Sequence, residues 1–138
     1  MVVHKLSKSE WLQYAEEAHR ICFNESGYKA LETADFALLV TEDDKLICYT
    51  TIKINDAETC YMQWGGAFPD SKGTVASFKG YLQMLQQLKS EYKYITTRIE
   101  NTNTPMLKFA MKAGFLICGV RTFKGAVLLE HLLEANNV

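Results

Sequence analysis

The sequence has almost no net charge: 15 lysines and arginines stand against 16 aspartates and glutamates, a formal −1 with its three histidines neutral. Nucleic-acid-binding domains show a basic excess or a basic stripe. Here lysines such as Lys45, Lys53, Lys72, Lys79 and Lys89 are scattered singly, so no nucleic-acid partner is expected. No apolar run approaches the roughly 20 residues that cross a bilayer, and no membrane partner is expected. The first residues, Met1-Val2-Val3-His4-Lys5, lack the apolar core of a secretory signal. None of the four cysteines, Cys22, Cys48, Cys60 and Cys118, forms a C-x-x-C pair or a Cys/His cluster with zinc-ligand spacing. Most lie in apolar runs such as Leu46-Ile47-Cys48-Tyr49 and read as buried reduced thiols. That reading favours a reducing, cytoplasmic location. Repeats, low-complexity tracts and linkers are all missing, and the two prolines, Pro69 and Pro105, only punctuate element boundaries.

What remains is an ordinary globular balance. Hydrophobic residues make up 48% of the chain and charged residues 22%. Residues 1–138 are expected to form a single domain, long enough to bury a core without metal or disulfide staples. Periodicity gives the order β-α-β-β-β-α-β-α-β-β. A strand over 2–6 leads into a helix over 7–23, with Ser7 and Glu10 at capping-box spacing. The stretch 24–34 reads as loop or short helix. Three strands follow, over 36–40, 46–54 and 59–68, the last broken internally by Gly65-Gly66. A helix runs from the loop 70–74 to about Tyr92, with Val75, Phe78, Leu82, Leu85 and Leu88 on one face. A strand over 94–100, a helix capped by Asn103 or Thr104 and ended by Gly114, and two strands over 115–122 and 126–133 complete the chain. This is an antiparallel meander feeding a βαβ crossover, an α/β (α+β) domain with helices covering its sheet.

Three stretches carry a resemblance to a known family. The run Asn103-Thr104-Pro105-Met106-Leu107-Lys108-Phe109-Ala110-Met111-Lys112-Ala113-Gly114-Phe115 resembles a helix of the GCN5-related N-acetyltransferases (GNAT), in which Asn103, Met106, Leu107, Phe109, Lys112, Gly114 and Phe115 fit. Gly65-Gly66, in the strand that corresponds to the family's fourth, is similar to its bulged segment. The loop Asp70-Ser71-Lys72-Gly73-Thr74-Val75 takes the place of the family's pyrophosphate loop and matches it at Gly73. Asp70 stands where a basic or amide residue is usual.

The resemblance implies a mixed, mostly antiparallel sheet with splayed central strands. It implies acetyl-CoA as cosubstrate, its pantetheine arm lying in the split along Trp64, Gly65, Gly66 and Ala67. The phosphates would meet Ser71, Lys72, Gly73, Thr74, Val75 and Ala76 at a helix start, where free N–H groups attract anions. Asn103 and Phe109 would complete the coenzyme site. The family's usual tyrosine acid position holds Ala110. Tyr61 and Asp70 are the candidate catalytic residues, with Tyr81 and Glu100 also considered. His4, His19 and His131 are assigned structural roles.

Two functions stay open. One is an acyl-CoA-dependent N-acyltransferase acting on an amine of a small molecule or protein, whose pocket would come from residues 23–35 and the last hairpin. The other is a GNAT-fold binding or structural protein without catalysis, because the C-terminal run Gly119-Val120-Arg121 to Gly125-Ala126-Val127-Leu128-Leu129-Glu130 is similar to short phage-encoded chains. A homodimer is compatible with either.

Overall fold

Turn chemistry organises the sheet. Asp43 and Asp44 (φ 50° and 64°), and again Lys124 and Gly125 (φ 49° and 83°), are two-residue turns with both central residues left-handed. Their twist matches that of a β-hairpin. In the computed structural model, residues 1–23 and 33–135 are described. The strands are β1 (Val2–Ser7), β2 (Phe36–Glu42), β3 (Lys45–Ile54), β4 (Thr59–Ala67), β5 (Tyr94–Glu100), β6 (Leu116–Phe123) and β7 (Ala126–Glu134). The helices are α1 (Lys8–Leu12), α2 (Ala15–Phe23), α3 (Val75–Glu91) and α4 (Thr104–Ala113). The first turn joins β2 to β3 and the second joins β6 to β7. The strand order is β1-β2-β3-β4-β5-β7-β6. Parallel pairing joins β4 to β5, and the other adjacent pairs among the described residues are antiparallel.

Helices cover both faces. On one, Tyr81, Met84, Leu85 and Leu88 of α3 and Ala110 of α4 pack with Leu38, Cys48, Ile52, Cys60, Ile95 and Ile99 of the sheet. On the other, Trp11, Ala15 and Ala18 pack with Ala37, Tyr49 and Phe68. Burial of these apolar side chains is the main favourable term in folding. Ser7 caps α1 with the expected capping box, its side chain accepting from the Glu10 amide. The single helix expected over 7–23 is two, interrupted after Leu12. A turn closes there from the Tyr14 N–H to the Trp11 carbonyl at 2.9 Å, and Trp11 and Ala15 both stay buried. The loop or helix expected over 24–34 falls largely outside the described residues.

The α4 boundaries follow their signals. Asn103 Oδ1 accepts from the Met106 N–H at 3.4 Å. Gly114 adopts φ 98° and donates back to the Ala110 and Met111 carbonyls. The Phe115 N–H also reaches the Ala110 carbonyl, at 2.9 Å, which closes the helix and turns Phe115 into the core.

In α3, Gly80 lies directly on the sheet. A Cβ there would stand 2.7 Å from Cys48 Sγ and 3.2 Å from Ile47. Alanine is the better helix former by about 1 kcal/mol, but overpacking a rigid core costs about 1–3 kcal/mol. Gly80→Ala is therefore expected to lower stability. A denaturant midpoint at or above that of the wild type would show that α3 is free to move off the sheet.

Candidate functional site

The site begins with one extra residue. Pairing of β3 with β4 passes from Ile52↔Met62 to Thr51↔Trp64, so Gln63 is inserted without a partner. The bend that such a bulge introduces coincides with the parting of β4 from β5. Their parallel register runs from Thr59↔Tyr94 to Met62↔Thr97 and stops there, although β4 continues to Ala67 and β5 to Glu100. Thr51 pins the bulge, its hydroxyl accepting from the Trp64 N–H at 3.1 Å. Thr97 closes the fork, its hydroxyl donating to the Met62 carbonyl at 3.0 Å.

The interruption expected at Gly65-Gly66 thus falls at Gln63, and β4 runs unbroken through both glycines. They serve close approach. A Cβ on Gly66 would stand 2.9 Å from Cys22 Cβ and 3.2 Å from the Tyr49 ring, and one on Gly65 would reach Tyr81 at 3.5 Å. The Phe68 N–H donates to the Ile47 carbonyl at 3.0 Å. By the alternation of an extended strand, Gly66 then faces β3, and the backbone groups of Gly65 and Ala67 face the gap.

The gap is a cavity of about 830 Å³, within the range of small-molecule sites. Its walls come from both faces of the sheet. Cys60, Met62 and Ile99 belong to the α3/α4 core, so the alternate residues Tyr61 and Arg98 point to the opposite face. Thr50, Tyr81 and Met106 line the α3/α4 mouth; Tyr61, Arg98 and Arg121 line the other. The slot therefore passes through the sheet.

Two wall residues hold buried oxygens that make no hydrogen bond among the described residues: Thr50 Oγ1 and Gln63 Oε1. Thr50 is 1% exposed. Leaving a buried polar group unpaired is costly. Burial raises the phenol pKa of Tyr81, and raises that of Tyr61 against the pull of neighbouring Arg98. Both phenols stay protonated at neutral pH. The Arg98 guanidinium lies 5.1 Å from the Tyr61 ring centre, and Arg98 and Arg121 both approach Glu130.

Of the residues expected from sequence, Tyr61, Trp64, Gly65 and Asn103 line the slot. Gly66 turns to Cys22 and Tyr49, and Ala67 pairs with Cys48. Phe109 stands behind the wall, edge-on to Phe78 and tilted against Tyr81, with ring centres 5.4 Å apart in each case. The α3 start lies beyond the lining. Ser71 was expected to offer its hydroxyl to phosphate. That hydroxyl is buried instead and donates to the Ile47 and Phe68 carbonyls, at 2.5 and 3.0 Å. Thr74 is the N-cap of α3, accepting from Ser77 and donating to the Ser71 carbonyl. Among the described residues, the first-turn amides of Val75 and Ala76 have no hydrogen-bond partner outside the helix and are the donors a helix start offers an anion. Gly73, at φ 76° with open space where a Cβ would stand, and the exposed Lys72 lie beside them. Asp70 is exposed and outside the slot wall. His19 is nearer the site than its structural assignment implied: its buried ring meets Trp64 edge-on, with centres 5.1 Å apart. Thr50, Gln63, Arg98 and Arg121 were not anticipated.

No protein-family model matches the chain, and no curated protein matches it in sequence. Solved structures do match. The ribosomal-protein-S18-alanine N-acetyltransferase from Escherichia coli superposes with a TM-score of 0.78 at 12% identity, over 99% of this chain and 97% of that one. A GNAT family acetyltransferase from Elizabethkingia anophelis with acetyl-CoA bound gives 0.75 at 14% identity, over 96% and 97%. A spermidine/spermine N-acetyltransferase from Vibrio cholerae gives 0.73 at 11% identity, over 97% and 92%. The chain has the GNAT fold.

Gly66→Ala tests how closely α2 is applied to the slot. The new methyl group should displace Cys22 and cost about 1–3 kcal/mol. Burial pushes the Cys22 thiol up to about 11, so its reaction with Ellman's reagent at pH 8 should be slow in the wild type and faster in the variant. Unchanged stability and thiol kinetics would mean that α2 does not seat on Gly66.

Proposed function

We propose that this chain is an acyl-CoA-dependent N-acyltransferase that moves an acetyl group from acetyl-CoA to an amine. The observation that carries the reading is the slot: a parted strand pair with an unpaired β4 edge at Gly65 and Ala67 and an orphaned Thr50 hydroxyl in its wall. A pantetheine arm, with two amides and an extended shape, satisfies such an edge as a further strand would. Its phosphates would lie towards the first-turn amides of α3, and Asp70 weakens that end by charge repulsion. Acetyl-CoA fits the α3/α4 mouth, where Thr50 and Tyr81 lie, and the amine enters from the opposite face.

The transfer needs few groups. A backbone N–H of the β4 edge polarises the thioester carbonyl, a contribution of about 3–4 kcal/mol where such donors are well aimed. The amine nitrogen attacks the carbonyl carbon and a C–N bond forms. The C–S bond then breaks, and the leaving thiolate takes up a proton in balance with the one the amine loses. The products are an amide and CoA thiol. With Ala110 at the position where relatives of this fold often place a tyrosine, Tyr81 is the phenol on the coenzyme side of the slot, and we assign it the donor role. Ala110 and the inward-turned Ser71 are the features that favour a binding protein without catalysis.

Two experiments separate the readings. CoA should raise the melting temperature of the wild type by mass action. Thr50→Val should stabilise the free protein by about 1 kcal/mol, because it removes an unpaired buried hydroxyl at nearly constant volume, and should weaken CoA binding in titration calorimetry. Absence of binding at millimolar CoA would overturn the proposal. Tyr81→Phe should lower kcat by about 100-fold or more, the scale of positioned acid catalysis, with CoA affinity retained. An undiminished kcat would remove Tyr81 from the reaction, and CoA binding with no turnover of any amine would leave a binding protein.

A further inference from the structure

We infer that the acceptor amine carries an anionic group, and that Arg98 and Arg121 hold it at the mouth opposite α3 and α4. The inference rests on the coenzyme reading above and specifies the chemistry of its second substrate. Three cations line this part of the slot, Arg98, Arg121 and Lys124. Two carboxylates oppose them, Glu100 in the wall and Glu130 behind it. The balance is an excess of positive charge at this mouth.

The arrangement of the pairs matters as much as the count. Arg121 Nε lies 3.1 Å from Glu130 Oε1, and Arg98 Nε lies 3.6 Å from the same oxygen. Glu130 is the only carboxylate paired with either arginine among the described residues. One carboxylate oxygen thus holds two guanidinium groups side by side through their Nε atoms. Guanidinium edges suit two-point recognition of carboxylate or phosphate; Arg98 also hydrogen-bonds Tyr61, and Arg121, the more exposed of the two, is placed to meet a second anion. The stacking of Arg98 on Tyr61 fixes one of the two. Beside them Gln63 Oε1, buried and unpartnered, supplies an acceptor for an amine N–H. An anion on the arginines and an amine at Gln63 describe a small zwitterion. A polyamine would bring further positive charge to the same cations and is disfavoured.

The test measures release of CoA thiol from acetyl-CoA with four kinds of amine: α-amino acids, the same amino acids as carboxamides, phosphoethanolamine, and spermidine. CoA affinity is measured separately by calorimetry. The preferred anionic amine should exceed its neutral counterpart in kcat/KM by at least about tenfold, as expected for loss of a charge-assisted contact. Comparing amino acids with phosphoethanolamine distinguishes carboxylate from phosphate. Arg121→Gln should raise KM for that amine about tenfold or more and leave CoA affinity within twofold, and Arg121→Lys should recover part of the loss. Added salt should raise KM in the wild type more than in Arg121→Gln. Equal use of acids and carboxamides, a preference for spermidine, or an unaltered KM in Arg121→Gln would overturn the inference alone; CoA binding with no turnover of any of the four amines would overturn the inference and the transferase reading together. Failure of CoA to bind would overturn the coenzyme reading and this inference with it.

Discussion

The unpaired Gln63 is the constraint on which the site depends. One residue too many in β4, against a fixed β3, rotates the following strand out of register with β5. Without that insertion the parallel pairing of Thr59–Met62 with Tyr94–Thr97 could continue to the strand ends, and the sheet would be closed. The insertion is stabilised where it occurs. Thr51 takes the Trp64 amide that the irregular pairing displaces, and Thr97 takes the last shared carbonyl, at Met62. Two threonine hydroxyls thus mark where pairing fails and where it ends. The gap is set by backbone register, and side-chain hydroxyls hold it in place.

An open sheet needs support from outside. Both flanking layers supply it by pressing against the strands that border the gap. Cys22 of α2 lies on Gly66, and Tyr81 of α3 lies against Gly65. Contacts of the Phe109 ring with Tyr81, tilted, and with Phe78, edge to face, tie α3 to α4. Close packing of this kind holds strand edges apart that would otherwise pair, because neither layer can shift without opening voids or clashes. It also explains why the slot has a different character at each mouth. The α3/α4 side is apolar and aromatic, and the side of Tyr61 and Arg98 is polar and charged.

Much of the architecture was legible in the sequence because it is written in local signals. Ser7 with Glu10, Asn103 with Pro105, and Gly114 before Phe115 each have a steric or hydrogen-bonding reason that holds before tertiary structure forms. The position of the bulge was not legible. Gly65-Gly66 is the conspicuous feature of β4, yet the register slips at Gln63, a residue without any local signature, and the glycines answer to helices distant in sequence. The break between α1 and α2 likewise lacks a proline or glycine to announce it. The charged wall was hidden for a related reason. Arg98, Arg121 and Glu130 come from three strands and meet only through the register of β5, β7 and β6. The loop motif before α3 misled in detail, because Ser71 satisfies carbonyls of its own chain.

The strand order bears on how the chain is made. β5 borders the slot on one edge and needs β7 on the other, and some 25 residues, including all of α4 and β6, intervene between them in synthesis. Until the stretch around Leu128–Glu134 has left the ribosome, β5 is paired only with β4, along Tyr94–Thr97, and its opposite edge has no partner strand. Long-range pairing of this kind is slow, and exposed strand edges invite association with other chains. A nascent chain stalled after α4 therefore exposes the edge of β5 that β7 will cover, and would be prone to pair with other chains there.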